Sequence, residues 1–242
     1  MLKYLIIITV AVTSAIYYYI GFGSVEISIS QMFLIISTFL FVVFTGFFIS
    51  RQGIRYSKIR DQITDFDGEA TTIYRQFGHL GMEAQKEVKE ILKNHYESII
   101  SHQAWDFHFI NPSDTITSFH RLAEKYSQDK QLASLQHLAL QRILTALENM
   151  QVTRKSMVAM HKERIPQFQW FLVYFLAAIL VSTVSIIPST SFFLGSLLKG
   201  SFASAVIIVV VLLHQFDGLN FFKGTIGENS AKDVLDIISG EK

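Results

Sequence analysis

The chain has no cysteine, only three prolines in 242 residues, and no strand-like alternation of any length. Without cysteine it can form no disulfide, carry no thiolate nucleophile and build no cysteine metal site. The prolines, Pro112, Pro166 and Pro188, all fall at breaks between apolar or helix-patterned runs. Also missing are a glycine-rich phosphate loop, a serine nucleophile elbow and a His-Glu-x-x-His pair, so no enzyme class is indicated and no cofactor is expected. Of the eight histidines, His102 and His108 flank Trp105, with His95 and His120 nearby. Six residues apart does not put two ligands on one helical face, and no metal site is expected. A net charge of +1 selects no class of partner by itself, and no nucleic-acid partner is indicated.

What is present is apolar length. Four stretches, Lys3–Ile20, Met32–Ser50, Phe168–Ile187 and Phe192–Leu213, sit in pairs on either side of a polar middle. Each approaches the ~20 residues needed to cross a hydrocarbon core of about 30 Å. The first has Lys3 and an apolar run but ends in Tyr17-Tyr18-Tyr19 with no small-x-small site. That pattern suits a retained helix with an interfacial aromatic belt better than a cleaved signal peptide.

Basic residues set the expected orientation. Arg51, Arg55, Lys58 and Arg60 follow the second stretch, and Lys155, Lys162 and Arg164 precede the third. The connector 21–31 carries one charge, Glu26, and that around Pro188 none. Positive-inside bias therefore puts both termini and the middle in the cytoplasm. Helical spans point to an inner (plasma) membrane. The expected fold is an all-α membrane protein with four transmembrane helices and a helical cytosolic insertion between the second and third. Its parts are a hairpin over 1–50, the insertion over 51–166, a second hairpin over 167–214 and a cytosolic tail over 215–242.

The second span is expected to continue past the membrane. Ile54, Ile59, Ile63, Phe66, Ala70, Ile73, Tyr74 and Phe77 extend an apolar stripe at helical spacing as far as Gly78-His79-Leu80-Gly81. A helix from about Met82 to Ala104 follows. Another starts after Asn111-Pro112-Ser113-Asp114, with Ser113 as its cap. A long one after Gln128-Asp129-Lys130 runs to Glu163. Helices that grow out of membrane spans make the insertion part of the same unit. The tail 220–242 is mildly amphipathic and suits packing on a neighbour's cytosolic helices.

Three segments carry a resemblance. They are Asp67-Gly68-Glu69-Ala70-Thr71-Thr72-Ile73-Tyr74-Arg75-Gln76-Phe77, Arg164-Ile165-Pro166-Gln167-Phe168-Gln169-Trp170 and Gln215-Phe216-Asp217-Gly218. Through them nearly the whole chain resembles the bestrophin-like domain family, which is distantly similar to bestrophin chloride channels. The resemblance implies four membrane helices per subunit and a helical cytosolic region. It also implies a homo-oligomer, a pentamer as in bestrophins, whose second helices line an axial anion pore. The chain departs from bestrophins in having no proline over Phe39–Phe48 and no dense acidic run like the calcium clasp of the animal proteins.

Within the second span, Gln31, Thr38, Thr45 and Gln52 recur every seven residues, flanked by Phe41, Val42 and Phe48. The pore-lining set under this reading is Thr38, Phe41, Val42, Thr45 and Phe48; helix packing is the other use of such a stripe. Arg51, Arg55 and Lys58 share a face and suit a cationic cytosolic mouth, or lipid headgroup contacts that fix topology. Asp61, Asp65 and Glu69 share another face, four apart. They are expected in salt bridges with Arg75 or the Arg154–Lys155 cluster, or around a cation. Lys199, with Gly195, Gly200 and Ser201 around it, is expected at the outer interface, lining a vestibule. The leading expectation is a homo-oligomeric ion channel, anion-conducting, whose partners are its own copies, membrane lipids and inorganic ions. The alternatives are a non-conducting membrane scaffold or signalling subunit, and a cation-selective channel of the same build.

Overall fold

A computed structural model describes residues 27–110, 114–128, 133–188, 192–220 and 226–241, with positions 8, 11, 12, 15, 16, 18 and 19 before them. Most of the first apolar stretch, and the expected cap Ser113, lie outside the described residues. Among the described residues every regular element is a helix. They are α1 (Ile27–Leu80), α2 (Met82–His102), α3 (Phe107–Ile110), α4 (Thr115–Ser127), α5 (Ser134–Lys162), α6 (Gln167–Ile186), α7 (Phe192–Asp217) and α8 (Ile226–Ser239). Three of them are long and apolar enough to cross a membrane: Gln31–Leu80 within α1, Gln167–Ile186 and Phe192–Asp217.

The chain forms two compact units: residues 1–53 with 164–218, and 54–163 with 219–242. α1 supplies its first half to one and its second half to the other. In the first unit, Phe41 and Phe48 of α1 pack with Val173, Leu176 and Leu180 of α6 and Val206 and Leu213 of α7. Small residues on α7, Ser196, Gly200 and Ser204, are buried at four-residue spacing, which lets helices approach closely. Hydroxyls here bond back to their own helix: Ser37 to the Phe33 carbonyl at 2.6 Å, Ser185 to Val181 at 2.6 Å and Ser196 to Phe192 at 2.7 Å. Such bonds satisfy polar groups without water, as a bilayer interior requires.

The second unit has its own core. The stripe Ile59, Ile63, Phe66, Ala70, Ile73 and Phe77 of α1 packs with Val88, Leu92 and Tyr96 of α2, Phe119 of α4 and Ile143, Leu147 and Met150 of α5. Val234 and Ile238 of α8 complete it. A single residue, Gly81, turns α1 into α2, and its φ of 139° is a conformation that side chains disfavour. Tyr74 ties α8 down by donating from its hydroxyl to the Ile238 carbonyl at 3.3 Å.

Candidate functional site

The sevenfold polar stripe of the second span has a direction that its spacing does not reveal. A straight α-helix drifts by ~20° per heptad, so residues seven apart turn slowly around it. On α1 the drift runs inward: Gln31 is exposed, Thr38 half-buried, and Thr45 and Gln52 buried. Thr45, 4% exposed, donates its hydroxyl to the Phe41 carbonyl at 2.6 Å. Phe41 and Phe48 belong to the core with α6 and α7. Thus Phe41, Thr45 and Phe48 pack within their own chain, because the stripe rotates into the helix bundle. Val42, 59% exposed, stays outside, and Thr38 sits at the edge. The centre of the outward face is Phe39, Val43, Gly46 and Ser50, all exposed.

The cationic trio divides as well. Arg51 and Lys58 are exposed on one flank of the outward face. Val42 is on the opposite flank, because nine residues from Val42 to Arg51 make about two and a half turns. Arg55 is 5% exposed. Its Nε donates to the Met160 carbonyl at 2.7 Å and Nη2 to the His161 carbonyl at 3.1 Å. Those carbonyls lie in the last turn of α5, where acceptors outnumber helical amides; the cap amide of Glu163 also reaches the Met160 carbonyl at 3.3 Å. Arg55 is therefore a clamp on the end of α5. Lys199 acts similarly on α6, donating from Nζ to the Ser185 carbonyl at 3.1 Å.

The acidic face does not meet the expected basic partners. Asp65 accepts from the Gln62 amide at 3.1 Å and Glu69 from the Asn149 amide at 2.7 Å. Asp61 has an exposed pairing with Arg60 at 3.8 Å, a geometry worth little. Asp65 and Glu69 instead border an open, hydroxyl-rich groove with Thr64, Thr72 and Thr153.

Two acids outside the expected set do more. Asp217, the last residue of α7, gathers the first unit around itself. Its Oδ1 accepts the Ile165 amide at 2.8 Å and the Gln52 side-chain amide at 3.4 Å; Oδ2 accepts Trp170 Nε1 at 3.4 Å. Arg164 donates to its backbone carbonyl. Segment Arg164–Trp170 and segment Gln215–Gly218 are thus one bonded cluster, with Pro166 as the cap of α6. In the second unit, buried Asp67 accepts from the Tyr96 hydroxyl at 2.6 Å and from the Ser230 hydroxyl, joining α1, α2 and α8. Burial pushes its carboxyl up to about 6, although both hydroxyls favour the ionised form. A signal for both acids was legible: each occupies an apolar-face position, Asp67 four after Ile63 and Asp217 four after Leu213.

The histidines form a stack. His95 and His108 rings lie 3.8 Å apart and nearly parallel, with Phe66 stacked on His95 at 5.7 Å. His108 Nε2 meets the His95 carbonyl at 2.8 Å, and His95 Nδ1 meets Thr115 Oγ1 at 2.9 Å. Burial pulls both imidazoles below the usual histidine range, so the stack is neutral near pH 7.

Compared with known proteins, residues 24–226 match the family model described as the bestrophin-like domain. No curated protein and no solved structure matches the chain.

Proposed function

The chain belongs to the bestrophin-like domain family, and from that premise we propose that it is a homo-oligomeric ion channel whose axial path is lined by α1. Family membership and three membrane-length apolar helices make it a membrane protein; conduction is the further step. The observation that carries it is the two-sidedness of α1. One face is committed to α6 and α7. The other presents Phe39, Val43 and Gly46 outward, above the exposed Arg51 and Lys58.

In a ring of subunits that outward face would meet the axis, with bulky apolar side chains narrowing the path and Gly46 widening it. Val42 and Thr38 would flank it, toward the neighbouring subunit. Arg51 and Lys58 would raise the local anion concentration at the cytosolic end, which supports anion preference. The full proposal has four spans per subunit, cytoplasmic termini, a pentamer and a bacterial inner membrane.

Burial of Thr45 favours a second reading, a non-conducting scaffold, because the polar stripe is spent on packing within one subunit. Cation selectivity would draw on Asp61, exposed on the outward side of α1. The test is flux through purified protein in liposomes, with chloride and potassium gradients imposed separately. Chloride flux is the expected result, and Arg51→Glu with Lys58→Glu should weaken or reverse the preference. Potassium flux alone would move the selectivity to Asp61, and an intact oligomer with no flux would leave the scaffold.

A further inference from the structure

The second unit contains a cavity of about 220 Å³ that the channel reading does not use. Its walls include Arg154, Lys155, His95, His108, Thr115 and Thr117. Among the described residues no carboxylate lines it, in a chain with 20 acidic residues. Asp67 borders an adjoining space of about 20 Å³ and already accepts from Tyr96 and Ser230, while Asp114, which precedes Thr115 in the chain, does not line the cavity and is exposed. The histidine stack fixes the walls. Thr115 is held to His95, and Arg154 Nη2 reaches the His108 carbonyl at 3.5 Å. The first three residues of α4 line the same space, and among the described residues Asp114 at its start makes no side-chain cap bond.

From this arrangement we propose that the cavity binds a phosphate-class oxyanion. A planar guanidinium, an ammonium, two hydroxyls and the amides of the first turn of α4 offer more donors than a halide needs, and they suit a tetrahedral oxyanion. The volume is below that of a drug-sized pocket, so the bound part is one phosphoryl group with little else. Its source is a free small molecule or a lipid headgroup, and binding does not depend on conduction.

The experiment is calorimetric titration of the full-length protein in detergent at constant ionic strength. One arm uses inorganic phosphate, the other mixed micelles with phosphatidylglycerol against phosphatidylcholine. Saturable binding of one phosphate per chain is expected, weakened about tenfold by Arg154→Gln and by Lys155→Gln. Lys155 is exposed, so its variant tests the site without threatening the fold. Binding confined to phosphatidylglycerol would keep the site and assign it to a headgroup. No saturable binding in either arm, or affinity unchanged in both variants, would overturn it.

Discussion

Asp67 is the residue at which this fold works against itself. Burial raises its carboxyl from 3.8 to about 6. A carboxyl whose folded value exceeds its unfolded one stabilises the fold below about pH 3.8, and that contribution is lost as pH rises through 6. At pH 7.5 the buried charge costs about 3 kcal/mol relative to a neutral group there. Asp67→Asn keeps an acceptor for one of the two hydroxyls, and its amide nitrogen can donate to the oxygen of the other. The substitution should raise the thermal midpoint at pH 7.5 and flatten the stability profile between about pH 4 and 6; scanning calorimetry at several pH values checks both. Arg55 makes the opposite case, since its charge is fully used. Arg55→Ala should cost about 2 kcal/mol by removing the two guanidinium bonds to the α5 end carbonyls, measured as lost thermal stability. Arg55→Lys should leave ion preference unchanged, where Arg51→Glu should not. Neither partner of Arg55 was legible in the sequence, because a side chain's bond to carbonyls more than a hundred residues away leaves no local pattern.

Elements were legible where periodicity carried them. The apolar stripe that ends at Phe77, followed by Gly78 and Gly81, marks the end of α1 at Leu80. Pro166 marks the start of α6 at Gln167. The short helix α3, four residues long, was not foreseen, since one turn has too few positions to show a period. The candidate site was legible only in part. Spacing put Thr38, Thr45 and Gln52 on one drifting stripe, but only packing against α6 and α7 decides which end of the drift is inside. Two predictions belong to this scale. Thr45→Val replaces a hydroxyl bonded to its own helix, so flux and stability should change little, by less than about 1 kcal/mol. Ser204→Leu should overpack the first unit and cost about 1–3 kcal/mol, seen as a lower yield of folded protein in detergent.

At the scale of the molecule, the bestrophin-like segments acquire a physical reason. Two of the three, Arg164–Trp170 and Gln215–Gly218, meet at Asp217 and close the first unit. The third holds Asp67, which fastens α8 in the second. These are structural joints, and they leave the outward face of α1 to carry any conduction. The absence of cysteine makes that face directly testable, because any cysteine introduced is the only one. The decisive measurement is liposome flux before and after a charged thiol reagent, with single cysteines placed along α1. Block is expected for Val43→Cys and Gly46→Cys, with Thr45→Cys and Phe48→Cys unaffected. Block at Thr45 and Phe48 with none at Val43 and Gly46, or no flux from any variant or the parent, would contradict it.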